Sequence, residues 1–111
     1  MASEYRTAGK TTVTMDVLLT IAHETTLGVE GVKSFATAPA SVERMFHSHK
    51  DGVRMLIEDN VVLMDLFLIL DSDVNIRDVS RTVQRSVTRA ILEMTGLEVG
   101  CVNVHIEDIA F

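Results

Sequence analysis

The chain has 111 residues, the size of one ordinary domain, and 47% of them are hydrophobic, which is enough for a core without disulfides or metals. Only 5% are aromatic and the formal net charge is −6, so these values disfavour both a ring platform for nucleic-acid bases and a chain that is basic throughout. The single Cys101 rules out a disulfide within the chain and fits a reducing compartment.

The chain's first residues are small and polar, and we expect residues 1–8 to form a flexible tail before one domain over residues 9–111. They contain no apolar segment typical of a secretion signal. The longest apolar run, residues 61–70, is interrupted by Asp65 and is shorter than the about 20 residues of a membrane-spanning helix. We therefore expect a cytoplasmic protein without direct membrane insertion.

The first half of the chain predicts a strand, a helix and a short strand. Alternating β-branched residues favour a strand over residues 10–14, and residues 32–36 suggest another. Residues 15–27 have helical spacing, and the predicted inward face consists of Val17, Leu18, Ile21, Ala22 and Thr25. Residues 37–52 hold the only proline and show no clean period, so we expect a mobile loop there.

Two β-rich runs, residues 53–58 and 61–70, flank Asp59 and Asn60, which tolerate the positive φ of a tight hairpin turn. A two-residue turn predicts a register that pairs Glu58 with Val61, Leu56 with Leu63 and Arg54 with Asp65. That register gives the hairpin one wholly apolar face, formed by Val53, Met55, Ile57, Val62, Met64 and Leu66.

The last third of the chain predicts a long helix and a final strand. Asn75 can cap a helix over residues 76–95, and Gly96 can end it. The helix's apolar positions are Ile76, Val79, Val83, Val87, Ala90, Ile91 and Met94. Residues 101–107 alternate, with Val102, Val104 and Ile106 inward and Cys101, Asn103, His105 and Glu107 outward.

These elements together predict the fold class. Each amphipathic helix can bury only one stripe of side chains, so both helices need the same apolar side of the sheet. The sequence therefore predicts an α+β fold: a two-layer sandwich with two helices packed on one face of a mixed, mainly antiparallel sheet of three to five strands.

Four arginines recur at every fourth position of the second predicted helix: Arg77, Arg81, Arg85 and Arg89. They form one row opposite the apolar stripe, and guanidinium groups bind carboxylates and phosphates, so the row is a candidate partner-binding surface. The alternative is a solvated helix face, partly paired with Asp78 and Glu93. Residues 75–96 hold four arginines and two acidic residues and so carry a net charge of +2. Since the whole chain has a net charge of −6, the rest of it carries about −8. That balance favours a protein partner over nucleic acid.

The sheet face away from the helices carries four apolar residues beside polar ones: Leu56, Leu63, Phe67 and Ile69. Its polar residues are Arg54, Asp65, Asn103 and His105. An uncovered apolar patch predicts self-association into a homo-oligomer. The alternative is that residues 37–52 or the N-terminal tail cover it.

Other polar residues do not predict a catalytic, cofactor or metal site. His47 and His49, with Glu43 or Asp51 nearby, supply too few fixed ligands for a metal. Cys101 and His105 are four strand residues apart, roughly 13 Å, which is too far for proton transfer. The sequence also lacks the usual phosphate-loop and nucleophile motifs. We therefore assign no catalytic residue, cofactor or metal.

The C-terminal third resembles a known family through the run Leu92-Glu93-Met94-Thr95-Gly96-Leu97-Glu98-Val99, followed by Val102-Asn103-Val104 and Ile109-Ala110-Phe111. These residues are similar to the signature of the alkaline shock protein family of bacterial general-stress proteins. Gln84 and Val29-Glu30-Gly31-Val32 also match its pattern. The chain departs at Asp71-Ser72-Asp73, where the family often has a Tyr-Gly pair, and residues 37–52 are atypical, so neither segment takes a role from the family.

The resemblance implies a small non-enzymatic protein linked to envelope stress, either cytoplasmic or held at the inner membrane face through a partner. With the residue patterns, it predicts a self-associating interaction module for cell-envelope homeostasis that docks a protein partner, which the resemblance suggests is membrane-anchored. The alternative is a nucleic-acid-binding protein that uses the arginine row.

Overall fold

The computed structural model describes residues 4–6, 12–36, 48–50 and 52–110. In this part of the chain lie seven strands and two helices: β1 (Glu4–Arg6), β2 (Thr12–Thr14), α1 (Met15–Leu27), β3 (Val32–Phe35), β4 (Ser48–Lys50), β5 (Val53–Glu58), β6 (Val61–Asp71), α2 (Ile76–Thr95) and β7 (Glu98–Ala110). β1 and β2 form a separate antiparallel pair, and the other strands form one mixed sheet.

Strand β6 is the centre of the main sheet. β5 pairs with residues 61–66 and β3 with residues 68–70 of β6, both antiparallel. At Phe67, between them, the amide donates to Gly52 O at 2.9 Å and the carbonyl accepts from Ala36 N at 2.8 Å, so β5 and β3 follow one another along the same edge. β7 runs parallel to β6 along the other edge, and β4 extends the sheet beyond β5. The predicted mixed, mainly antiparallel sheet is confirmed.

The hairpin between β5 and β6 has the predicted register. Asp59 and Asn60 adopt φ values of 52° and 64°, which suit a two-residue turn matched to the twist of its strands. Glu58 lies opposite Val61 and Arg54 opposite Asp65, as the count from the turn predicts. Local turn chemistry and the alternation of side chains therefore fixed this element.

The predicted mobile loop is wrong in part, because Ser48–Lys50 forms β4, which pairs with β5. This pairing uses main-chain hydrogen bonds, so the periodicity of the side chains does not reveal it. The rest of that segment up to residue 51 lies outside the described residues. So do residues 10 and 11 of the first predicted strand and most of the predicted tail, of which Glu4–Arg6 forms β1. The division into tail and domain stays a prediction.

Strand β7 is longer than predicted because two bulges interrupt the alternation of its side chains. Val62 pairs with Val99 and Leu63 with Cys101, so Gly100 is an extra residue, and Glu107 is extra in the same way. A Cβ atom at Gly100 would lie 2.7 Å from Val61 Cγ1, so this bulge suits glycine. Each bulge resets the alternation and returns apolar side chains to the helix side of the sheet.

Both helices pack on one face of the sheet. The even-numbered residues of β6 are at most 1% exposed and belong to one core cluster with the buried side chains of α1 and α2. The helix residues of this cluster are Met15, Leu18, Leu19, Ala22, Val79, Val83, Val87 and Ile91. The helices also contact each other, so the predicted two-layer arrangement is confirmed.

The predicted inward face of α1 is wrong, because the helix is rotated about its axis relative to the prediction. Leu19 is buried, whereas Val17 is 47% exposed. Since the apolar residues of the first half of α1 cover more than half of the helix circumference, periodicity does not fix which part of this broad face meets the sheet. Packing against the sheet and α2 selects the side that carries Leu18, Leu19 and Ala22.

In α2 the predicted stripe is confirmed at its centre and wrong at its ends, since Ile76 and Met94 are exposed. The buried positions, Val79, Val83, Val87, Ile91 and Thr95, recur every four residues. Such a line drifts around the helix and leaves Ile76 and Met94 to one side of it. The predicted ends are correct: Asn75 Oδ1 accepts from Asp78 N at 3.1 Å, and Gly96 is left-handed with φ 78°.

Candidate interaction surface on the second helix

The arginine row, Arg77, Arg81, Arg85 and Arg89, is exposed along the whole of α2. Each arginine precedes a buried residue by two positions, a little more than half a turn of the helix. Because both rows repeat every four residues, they drift together and stay on opposite sides. Burial of the valine and isoleucine side chains therefore forces the guanidinium groups outward.

One arginine of the row has a carboxylate partner. Arg89 Nε donates to Glu93 Oε1 at 2.8 Å between two exposed side chains, and this hydrogen bond and the negative charge raise the pKa of Arg89. The predicted pairing with Glu93 is confirmed. Among the described residues, Arg77, Arg81 and Arg85 form no ion pair, and the predicted contact with Asp78 is absent there.

The arginine row borders a shallow groove of about 520 Å³ that is wide open to solvent and formed by side chains of α2 alone. The groove is lined by Arg81, Gln84, Arg85, Thr88, Arg89 and Leu92. Leu92 is 53% exposed although it is a large apolar residue, and it follows Arg85 by seven residues, which places both on one side of the helix. The surface therefore joins positive charge to an exposed apolar group, a feature that the sequence prediction missed.

Gln84 links α2 to β7. Its Nε2 donates to Val102 O at 2.9 Å across eighteen positions of sequence. Gln84 is one of the residues that carry the family resemblance, but the resemblance gave no reason why a glutamine stands at this position. The hydrogen bond supplies a structural one.

The signature at the end of α2 forms a turn. Thr95 Oγ1 donates to Ile91 O at 2.6 Å and accepts from Leu97 N at 3.1 Å, while Gly96 takes the left-handed conformation between them. Leu97 then enters the core. These residues direct the chain from α2 into β7.

The segment before β3 also holds α2 in place. Gly31 has φ +100°, and a Cβ atom there would lie 2.8 Å from Val79 Cγ2 and 3.0 Å from Val74 Cγ1. Its carbonyl accepts from Asp71 N at 2.9 Å. Both stretches that carry the resemblance thus have roles in packing.

The outer face of the sheet is not a uniform apolar patch. Phe67 is 2% exposed and stacks on His105 with ring centroids 4.6 Å apart, so of the two alternatives left open for this face, an uncovered Phe67 is wrong. Arg54 on the same face is buried, and its Nη1 donates to Val53 O at 3.1 Å. The other candidates for self-association, Leu56, Leu63 and Ile69, are half-buried, and their role stays a prediction.

Sequence reasoning missed the pair formed by Asp65 and His105. His105 Nε2 lies 2.7 Å from Asp65 Oδ1, forty positions away in sequence. The outward side of both residues was predicted, but only the parallel pairing of β7 with β6 brings them together. The pair positions the imidazole ring over Phe67.

The remaining polar candidates form no site among the residues that the structure describes. Cys101 Sγ donates to Asn103 Oδ1 at 3.2 Å, and His47 lies outside the described residues, as does the side chain of His49. Within the described ranges, no group of three or more His, Cys, Asp and Glu side chains could hold a metal ion. In those same ranges, neither helix combines the length and apolar character needed to cross a membrane.

Comparison with known proteins gives one family and two relatives. The model of the alkaline shock protein 23 family, described by a cell envelope-related function, matches residues 3–111. The chain is 31% identical over 108 residues to the uncharacterized protein YqhY of Bacillus subtilis (strain 168), covering 93% of this chain and 78% of that protein. It is 30% identical over 110 residues to the uncharacterized protein Spy1535 of Streptococcus pyogenes serotype M6, covering 98% and 84% of the two chains. No solved structure shows a significant match.

Proposed function

The chain belongs to the alkaline shock protein 23 family, whose function is cell envelope-related, and from this premise we propose that it is a non-catalytic interaction module that docks an acidic protein through the arginine row. We place it in the cytoplasm, where the docked protein can hold it at the inner face of the membrane. Self-association through Leu56, Leu63 and Ile69 is the second part of this proposal. The process served is envelope stress response and homeostasis.

The observation that supports the proposal is that the four arginines are exposed and mostly form no ion pair with the described residues. All four guanidinium groups are exposed, and only Arg89 has a carboxylate partner among the described residues. An exposed arginine without an ion pair keeps its fork of donors available for a carboxylate or phosphate. The surface is therefore complementary to an anionic partner.

The charge of the rest of the chain favours a protein as that partner. A duplex or a membrane is a large negative surface, and it would approach the acidic remainder of the molecule, about −8, together with the row. An acidic segment of a protein can contact the row alone. Folding thus concentrates positive charge on one helix of an acidic molecule.

The polar pairs of the outer sheet face support a non-catalytic role. The imidazole of His105 is held by Asp65 and stacked on Phe67, and Cys101 is hydrogen-bonded to Asn103 instead of His105. A nucleophile and its base need to lie within hydrogen-bond reach of one another. These contacts suit a rigid surface better than a reacting pair.

The test is photo-crosslinking in the native cell, with a photoreactive amino acid at Thr88, which lines the groove. We expect covalent adducts with protein, and we expect Arg85→Glu to reduce their yield by about tenfold because it puts a carboxylate against a carboxylate. Lys33→Glu is the matched control, since it makes the same charge change at an exposed position of β3 and should leave the yield unchanged. Equal yields from both variants, or adducts with RNA or lipid alone, would contradict the proposal.

A further inference from the structure

Resting on the proposed docking role, we propose that the partner segment is an amphipathic helix that packs along α2, with carboxylates opposite Arg81 and Arg85 and an apolar side chain against Leu92. This assignment goes beyond the attraction between opposite charges. It specifies the secondary structure of the partner segment and where its charged and apolar residues lie along α2.

The spacing of the groove residues carries the inference. Arg81, Arg85, Thr88 and Leu92 follow one another by four, three and four residues. This is the alternating spacing of the seam that one helix presents to another in a coiled coil, and it keeps the four side chains on a straight line. An extended strand repeats its side chains every two residues and does not match this line.

The chemistry of the seam fixes where charged and apolar residues of the partner must lie along α2. Its first half is positive, whereas its second half ends on Leu92, which is 53% exposed and unable to form an ion pair. Burial of this side chain against an apolar residue would stabilise the complex, while carboxylates opposite Arg81 and Arg85 would fix its register. Gln84 and Arg89 flank the seam and can contact the sides of the docked helix.

Arg77 distinguishes a helix docked on the seam from a partner that is attracted by positive charge alone. It belongs to the arginine row, but the row drifts by about 40° with every arginine, so Arg77 lies to one side of the seam. A partner that senses only positive charge would use Arg77 as much as Arg85. A helix on the seam would use Arg85 and Leu92 and depend little on Arg77.

The experiment uses two fluorescent helical peptides of about 16 residues, roughly the length of the seam with one turn to spare. Both are stapled on the side away from the contact so that they are helical before binding. The first carries glutamates placed to meet Arg81 and Arg85 and a leucine placed to meet Leu92, and the second has the same composition with these residues moved off the seam. Binding to the full chain is measured by fluorescence anisotropy.

We expect the full chain to bind the first peptide at least about tenfold more tightly than the second. Arg85→Glu and Leu92→Ala should each weaken binding of the first peptide by about tenfold, and Arg77→Glu by less than about threefold, as for a charge at the rim of an interface. Circular dichroism checks that every variant is folded. In the cell, the segment cross-linked at Thr88 should be an acidic helix with an apolar residue at the matching position.

Equal affinity for the two peptides, or equal losses from Arg77→Glu and Arg85→Glu with none from Leu92→Ala, would overturn the helix inference and leave the acidic docking role intact. Failure of both peptides to bind, together with the absence of protein adducts at Thr88, would overturn the inference and the proposed function. Preference for single-stranded RNA or for phosphatidylglycerol vesicles over the first peptide would do the same.

Discussion

The two sides of α2 have the same four-residue repeat and opposite properties. The inward side is a line of buried β-branched residues, held at its ends by the close approach of Gly31 and the turn at Thr95 and Gly96. The outward side is a line of arginines that contacts little else in the described part of the chain. The residues that identify the family thus hold the helix in position, whereas the candidate docking residues lie largely outside the signature.

Two neighbouring residues of similar size lie on the opposite sides of α2. Ile91 is fully buried, and Leu92 is half exposed. Ile91→Ala should lower the free energy of unfolding by about 3 kcal/mol through lost burial and a cavity. Leu92→Ala, the matched control, should lower it by less than about 0.5 kcal/mol. Urea unfolding followed by circular dichroism measures both, and similar losses would contradict the assignment of the two sides.

A second pair of substitutions tests whether the family motif before β3 fixes α2. Gly31→Ala should lower the free energy of unfolding by about 2 kcal/mol, because an alanine at φ +100° is strained and its Cβ meets Val79 at 2.8 Å. Gly28→Ala is the control, since φ there is −77° and its Cβ would lie 3.5 Å from Thr25 O, an ordinary contact. That change should be neutral or slightly stabilising. A thermal melt in which both variants behave alike would count against the close approach.

The smallest effect is expected at Gln84, on the boundary between the two sides. Gln84→Ala removes the donor to Val102 O and should lower the free energy of unfolding by about 1 kcal/mol. Thr82→Ala removes an exposed hydrogen bond within the helix, to Asp78 O, and should cost less because alanine is a better helix former. Urea unfolding of the two variants gives the difference. A larger loss from Thr82→Ala would show that the contact with β7 contributes little.

The candidate surface was only partly predictable. The sequence predicts the arginine row and its exposure, since four arginines every four residues opposite four buried residues leave one arrangement on a helix. The groove was not predicted, although its signal is present: Leu92 lies off the buried stripe and seven residues after Arg85. On the outer sheet face, only the tertiary structure shows that Phe67 is buried.

The sequence by itself determined the features that depend on residues close together in the chain. The hairpin register follows from Asp59 and Asn60, and the ends of α2 follow from Asn75 and Gly96, because turns and caps are formed by residues within a few positions of each other. The family signature belongs to this class as well, since its turn is local.

The tertiary structure alone decided which side of α1 is buried, where β7 bulges and that Asp65 meets His105. Each depends on segments distant in sequence that compete for the same surface. The apolar residues of α1 allow several rotations, and the parallel pairing of β6 with β7 leaves no periodic trace in either strand. Packing selects among arrangements that are equivalent along the chain.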